Sequence, residues 1–255
     1  EIGKNKAVDV PIVGDVSKTL IELHNSLSKR LEKRESSLWS KRIQQIREEQ
    51  KDKIKIDKER DLVPQKILRE LREILPNDAI VTTEVGQNQM WASLYFKVYK
   101  PRTFISSGGL GTMGFGFPAA IGVKVAKPDV PVFDIAGDGS FTMTANSLAT
   151  SVTENIPVTV VILNNCMLGM VAQWQRLFYN RRYSAVELGA CPNFVKLTEA
   201  FGANGIRVGS IDEFKKAVKQ ALKSDVTTVI DVPIPPEENV FPMIPAGKSL
   251  REIIY

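Results

Sequence analysis

The amino-acid sequence predicts an α/β fold, a doubly wound and mainly parallel sheet flanked by helices, with a short N-terminal remnant of a preceding domain. Three observations carry that expectation. Two apolar runs of strand length, 130–135 and 158–163, end in Gly137-Asp138-Gly139 and Asn164-Asn165. One helical crossover over 144–155 separates them, a length that suits parallel neighbours, so Asp138 and Asn165 are expected side by side at the carboxyl ends of their strands. From about 61 to 235, five or so strands alternate with helices, the pattern of a doubly wound sheet.

Taken in order, residues 5–15 read as strand and turn, carrying Val8, Val10, Pro11, Ile12 and Gly14. A helix follows over 16–31, with Leu20, Leu23, Leu27 and Leu31 on its apolar face and Asp15 or Ser17 as cap. Residues 1–30 are too few for a domain and are expected to be the tail of a central one. His24, the single histidine, sits on this helix away from the glycine-rich turns, so no histidine-based triad is available. Residues 31–60 form a charged helical linker, with a helix over 37–51 on which Trp39, Ile43 and Ile46 recur at helical spacing for packing against a neighbouring domain.

The third region, 61–255, holds the regular α/β pattern. An amphipathic helix over 62–75 has Pro64 in its first turn and ends at Pro76-Asn77-Asp78. A strand over 79–83 leads through Glu84-Val85-Gly86 into a helix beginning near Gln87 and Asn88, a place suited to phosphate oxygens or to plain capping. The run from Phe104 to Ala120 is glycine-rich, which implies unusual backbone angles or close backbone approach. Its spacing departs from a dinucleotide fingerprint, because Pro118 and Met113 fit poorly and no acid is placed for a ribose. Beyond Asn165 the pattern gives a helix from Gly169, another over 193–201, a strand over 205–208, a helix over 211–223 and a strand over 227–232. An extended, proline-rich tail holds Pro242 and Pro245.

Composition sets outer limits. The chain has 255 residues, 43% hydrophobic and 25% charged, and no apolar run approaches a membrane span. Two cysteines, Cys166 and Cys191, fit a reducing compartment, with the cytoplasm as default. Glu1 stands where a methionine is expected, which suggests a cut or incomplete chain. The net charge of +5 is concentrated between Lys29 and Asp61, where 12 basic residues interleave with 8 acidic ones, the signature of a solvated helix face and not of a nucleic-acid stripe.

The chemistry of the central unit follows from residue type. Asp138 offers a hard anionic oxygen, Asn165 a neutral amide oxygen, and Gly137 and Gly139 allow close backbone approach, together a lysine-free site for Mg²⁺ and a diphosphate. Gly-Asp-Gly alone is an ordinary turn. Gly137-Asp138-Gly139-Ser140 followed, 24 residues on from Ser140, by Asn164-Asn165 resembles the thiamine-diphosphate signature.

The chain further resembles the carboxyl-terminal portion of acetohydroxyacid synthase (acetolactate synthase) catalytic subunits. The resemblance rests on Leu110-Gly111-Thr112-Met113-Gly114, Ala136-Gly137-Asp138-Gly139-Ser140-Phe141, Gly169-Met170-Val171 with Gln173-Trp174-Gln175, and Pro242-Met243-Ile244-Pro245. It implies a thiamine-diphosphate-binding fold in which Asp138, Asn165 and the Met167 carbonyl hold Mg²⁺. Gly137, Gly139, Ser140, Gln87, Asn88 and backbone amides near Gly169 and Met170 meet the diphosphate. Met113 props the cofactor in a bent form, the Gly111 carbonyl accepts from its 4′-amino group, and Met170, Trp174 and Phe178 line the substrate entrance. Asn88 departs from the pattern, since relatives usually carry histidine there, and an amide still donates to phosphate. Glu84 reads as a turn residue, because the glutamate that protonates the cofactor belongs to an N-terminal domain outside this chain.

The implied reaction decarboxylates pyruvate and adds the two-carbon unit to a second 2-ketoacid, pyruvate or 2-ketobutyrate, toward valine and isoleucine. Implied partners are the N-terminal pyrimidine-binding domain of another subunit in a homodimer or tetramer, a small regulatory subunit, and FAD in the full-length protein. The fragment is expected to be inactive alone. A pyruvate oxidase or 2-ketoacid decarboxylase, and a non-catalytic cofactor-binding or assembly module, are the alternatives.

Overall fold

The structure, a computed structural model, describes residues 1–32, 36–51, 60–189 and 191–255. The chain divides into two compact units, Glu1–Lys53 and Ile54–Tyr255. In the first, α1 (Val16–Ser28) starts at Asp15, whose carboxylate accepts the Lys18 N–H at 3.0 Å, so Asp15 and not Ser17 is the cap. The helix stops three residues before Leu31, where the Arg30 and Leu31 N–H groups both turn back to the Leu27 carbonyl. The strand expected over 5–15 does not form. Those residues make bends and irregular backbone with Val8, Val10 and Ile12 exposed, and no other strand is described in this unit to complete a ladder. α2 (Leu38–Lys51) opens on Ser37, whose hydroxyl accepts the Ser40 N–H, and Trp39 is exposed. Parts of the expected 31–60 linker, residues 33–35 and 52–59, lie outside the described residues.

The second unit is built on six parallel strands: β1 (Ile80–Thr83), β2 (Phe104–Ser106), β3 (Val132–Gly137), β4 (Thr159–Asn164), β5 (Asn204–Arg207) and β6 (Thr228–Pro233), in the spatial order β2-β1-β3-β4-β6-β5. Helices cover both faces, as a parallel sheet requires. Alternate residues of β4 enter two different cores, Val161 and Leu163 on one face, Val160 and Ile162 on the other. On the first face α3 (Pro64–Ile74) buries Ile67, Leu68 and Leu71 at helical spacing, each burial worth roughly 1.5–3 kcal/mol. Arg72 closes that helix by donating to the Leu75 and Pro76 carbonyls. No helix among the described residues is long and apolar enough to cross a membrane.

Two elements in the 104–120 run were hidden by its glycines: β2, and α5 (Gly116–Ala126), which carries Pro118 in its first turn. The crossover expected as one helix over 144–155 is two, α6 (Asp138–Thr144) and α7 (Ser147–Thr153). The first begins directly at the end of β3, where the Ser140 hydroxyl donates to the Gly137 carbonyl and accepts its N–H. It breaks at Ala145 and Asn146, whose carbonyls accept the short-range N–H bonds of Leu148 and Ala149. Sequence order along the sheet reverses between β1 and β3, which leaves a crevice at their carboxyl ends.

Candidate functional site at the sheet switch point

Three strand-to-helix turns meet in that crevice, those after β1, β3 and β4. They form a cavity lined by Gln87, Asn88, Met113, Gly137, Asp138, Gly139, Ser140, Asn165, Met167, Gly169 and Met170 among others. The pairing of Gly137 with Leu163 in the parallel ladder puts Asp138 and Asn165 just past neighbouring strand ends.

Asp138 is almost fully buried, and burial pushes its carboxyl pKa up from 3.8 to about 6, against the pull of the Gly139 N–H and other donors. Oδ1 accepts that N–H at 2.9 Å, Oδ2 faces the weak Cys191 thiol donor at 3.7 Å, and the Cys166 backbone N–H also favours the carboxylate. Asn165 turns its amide inward. Oδ1 accepts the Met167 N–H at 3.1 Å, leaving one lone pair, and Nδ2 donates to Gln87 Oε1 at 3.3 Å. Asn164 instead faces the sheet, with Nδ2 donating to Asp231 at 2.8 Å. The loop that carries Asn165 and Met167 is tied to 186–188 by Leu168 N–H to the Val186 carbonyl and Leu188 N–H to the Cys166 carbonyl.

The helix following β1, α4 (Gln87–Tyr95), presents Gln87 and Asn88, both buried. Gln87 donates to Gln173 Oε1 and the Glu238 carbonyl, each at 2.8 Å, so its Oε1 is the group turned toward Asn165. Asn88 donates one N–H to the Ile135 carbonyl at 2.9 Å. After β4, α8 (Gly169–Phe178) begins at Leu168 with no side-chain cap, so its first amides are open at the cavity edge. Gly169 leaves room for the Gln87 and Asn165 side chains: a Cβ there would push Gln87 Oε1 and Asn165 Nδ2 out of their present places.

Met113 reaches the cavity opposite Gly139. The backbone behind it is held by Glu84, fully buried, whose carboxylate accepts the Gly114 N–H at 2.7 Å and the Phe117 N–H at 3.1 Å. Glu84 lies in the turn after β1, as expected, and is in addition a buried anchor for the start of α5. Burial pushes its pKa up, and it in turn helps burial hold the neighbouring Asp134 carboxyl well above the usual range. Gly116 makes this contact possible, since a Cβ would collide with Asp134 Oδ1 and the Thr83–Glu84 backbone.

Gly111, Trp174 and Phe178 lie outside the cavity lining. Gly111 adopts the left-handed backbone region at φ 65° in an exposed loop near Val85. Trp174 and Phe178 stack with ring centroids 5.3 Å apart on the outer part of α8, and Trp174 borders a shallow groove with Val171, which also lines the cavity. Sequence reasoning did not single out Val85, Trp91, Leu163, Leu168 or Val171 in the lining, all of them apolar residues with an ordinary core pattern.

The donor set fits a hard divalent cation and a diphosphate: a nearly buried carboxylate, an inward amide oxygen, an uncapped helix start and glycines where any side chain would fill the space. Comparison with known proteins agrees. Residues 84–232 match the family model described as thiamine pyrophosphate enzyme, C-terminal TPP binding domain. Relatives include the probable acetolactate synthase large subunit of Methanocaldococcus jannaschii, 44% identical over 260 residues that take in 100% of this chain and 44% of that protein. The acetolactate synthase of Mycobacterium bovis is 41% identical over 263 residues, 99% of this chain and 42% of that protein. Acetolactate synthase 1, chloroplastic, of Nicotiana tabacum is 39% identical over 262 residues, 100% of this chain and 39% of that protein. The chain spans about two-fifths of the length of these relatives.

Proposed function

The chain belongs to the thiamine pyrophosphate enzymes through their C-terminal TPP-binding domain, and from that premise we propose that it is the cofactor-binding part of an acetolactate synthase catalytic subunit. The observation that carries this reading is the convergence of Asp138 and Asn165, from adjacent strand ends, on one cavity that also holds Met113 and the open start of α8.

Asp138, Asn165 Oδ1 and the Met167 carbonyl hold Mg²⁺, which takes oxygen ligands and shares them with a diphosphate. Gly137, Gly139, Ser140, Gln87, Asn88 and the amides of Gly169 and Met170 surround that diphosphate. Met113 and the Gly111 carbonyl orient the aminopyrimidine, and Met170, Trp174 and Phe178 border the way in for the second ketoacid. When bound, thiamine diphosphate supplies an electron sink for decarboxylating pyruvate and joining the two-carbon unit to a second 2-ketoacid. The chain's own contribution is to bind, neutralise and orient; the acid that completes the site comes from the N-terminal pyrimidine-binding domain of another subunit.

On this reading residues 1–30 are the tail of a central domain that carries FAD, 31–60 a linker, and 61–255 the diphosphate-binding domain. The full-length protein assembles as a homodimer or tetramer in the cytoplasm, with a small regulatory subunit as a further partner. The test has two steps. Calorimetry with Mg²⁺ and thiamine diphosphate is expected to show binding that Asp138→Ala removes, while the chain alone turns over no pyruvate. Adding back an N-terminal half is then expected to yield acetolactate; acetaldehyde or acetyl phosphate as the product would overturn the assignment in favour of a sister enzyme.

A further inference from the structure

Beside the cavity, on the far side of Asp138, lies a cluster that the proposed function does not use. The Sγ atoms of Cys166 and Cys191 and a carboxylate oxygen of Asp138 all lie within 4.8 Å of one another. Cys191 Sγ is 3.7 Å from Asp138 Oδ2 and 3.2 Å from Asn164 Oδ1, and Cys166 Sγ is 3.4 Å from that same Asn164 oxygen. The other sulfur and two oxygens are therefore gathered about the Cys191 thiol.

Three of these groups stand on hydrogen-bonded backbone or a defined element. Cys166 occupies a left-handed turn at φ 55°, with its carbonyl bonded to the Leu188 N–H. Asn164 is pinned to Asp231, and Asp138 is the first residue of α6. Both thiols are half-buried and so remain within reach of solvent. Hard Mg²⁺ selects oxygen and has no use for sulfur, whereas thiolates select soft or borderline cations. In a tetrahedral zinc site, metal–sulfur bonds of about 2.3 Å set ligand atoms roughly 3.5–3.8 Å apart. The Cys191–Asp138 separation already has that value, the two sulfur–Asn164 separations of 3.2 and 3.4 Å lengthen by a few tenths of an ångström, and the Cys166 sulfur, within 4.8 Å of the other two groups, closes in by at most about 1.3 Å.

We propose that Cys166, Cys191 and Asp138, with Asn164 Oδ1 or a water as the fourth ligand, form a binding site for a thiophilic divalent cation of the zinc class. Occupancy by such a cation draws Asp138 away from the Mg²⁺ site, so it competes with cofactor loading. The competition rests on the function proposed above; the binding itself does not.

Cobalt(II) is a suitable probe, because thiolate ligation gives it intense charge-transfer absorption in the near ultraviolet that oxygen ligation does not. Cys166 and Cys191 are the only cysteines in the chain, so any such band reports on this cluster. One equivalent of Co²⁺ is expected to produce the band, one equivalent of Zn²⁺ to bleach it, and Cys166→Ser or Cys191→Ser each to diminish it, with complete loss in the double variant. Zn²⁺ is also expected to protect both thiols of the unaltered chain from iodoacetamide, a readout that needs no variant. Absence of the band at stoichiometric Co²⁺, its survival in the double serine variant, or unprotected thiols would overturn the site. For the competition, Zn²⁺ is expected to abolish Mg²⁺–thiamine diphosphate binding to the unaltered chain but not to the double serine variant. Equal inhibition of both would overturn the sharing of Asp138, whereas failure of the metal-free chain to bind thiamine diphosphate would overturn the proposed function and leave the cobalt band standing.

Discussion

Glu84 and Asp138 occupy matching places, each the first residue past one of two adjacent parallel strands, each almost fully buried, each with its pKa raised by burial. They nevertheless do different work. Both oxygens of Glu84 accept backbone N–H groups, those of Gly114 and Phe117, so the carboxylate is used up in closing the start of α5. Asp138 accepts the Gly139 N–H at one oxygen, is favoured further by the Cys166 backbone and faces the Cys191 thiol with its other oxygen, but unlike Glu84 it lines the cavity. A buried carboxylate enclosed by backbone N–H groups away from any cavity is a strut, whereas one that borders a cavity is free to serve as a ligand.

The largest effect that sharpens this contrast is expected from Glu84→Ala. Two buried N–H groups lose their acceptor at about 1–3 kcal/mol each, so urea unfolding should show a loss of roughly 3 kcal/mol; Glu84→Gln, which keeps one acceptor oxygen, should lose distinctly less. A change below about 0.5 kcal/mol for the alanine variant would mean that the two turns are not different in kind. Next comes Asp138→Ala. It is expected to weaken Mg²⁺–thiamine diphosphate binding by about 100-fold or more, roughly 2.7 kcal/mol, while leaving the metal-free chain at neutral pH as stable as before or more so, because a buried anion is removed. Loss of stability on the scale of the Glu84→Ala variant would make Asp138 a strut after all.

The remaining effect is a pH dependence. The folded pKa of Asp138, about 6, lies above its ordinary 3.8, so the folded chain holds the extra proton across that interval. This group's contribution to metal-free stability is therefore fully present below 3.8 and is lost as pH rises to about 6, by at most about 3 kcal/mol. Metal binding runs the other way, since the ligand must be ionised: Mg²⁺ affinity should fall about tenfold per pH unit below about 6, or roughly 1.4 kcal/mol. Calorimetry between pH 5 and 7, a range of about two units chosen around that value, checks it; an affinity flat across the range would show that Asp138 is already ionised throughout or takes no part.

Much of this site was legible because its signals are local. A strand-sized apolar run ending in Gly-Asp-Gly, and another ending in Asn-Asn, fix the positions of Asp138 and Asn165, and the intervening length allows only a crossover. The cap Asp15 sits directly before its helix and accepts the Lys18 N–H, as its residue type suggests. What stayed hidden depends on packing between distant segments. Glu84 becomes buried only because Gly116 lets α5 approach the end of β1, and a glycine in a glycine-rich run does not announce which contact it serves. β2 is only three residues long and reads as the margin of a loop. Cys191 carries no signal at all in the chain, because it meets Asp138 and Asn164 through the tertiary fold alone.

The cross-bracing between the loop after β4 and residues 186–188 has a consequence beyond shape. Asn165 and Met167 keep their positions by leaning on a stretch that supplies no chelating atom, so the strength of ion capture is partly written in a neighbouring ribbon of sequence. Evolution or an engineer can therefore retune the grip from a distance, leaving every chelating atom as it was.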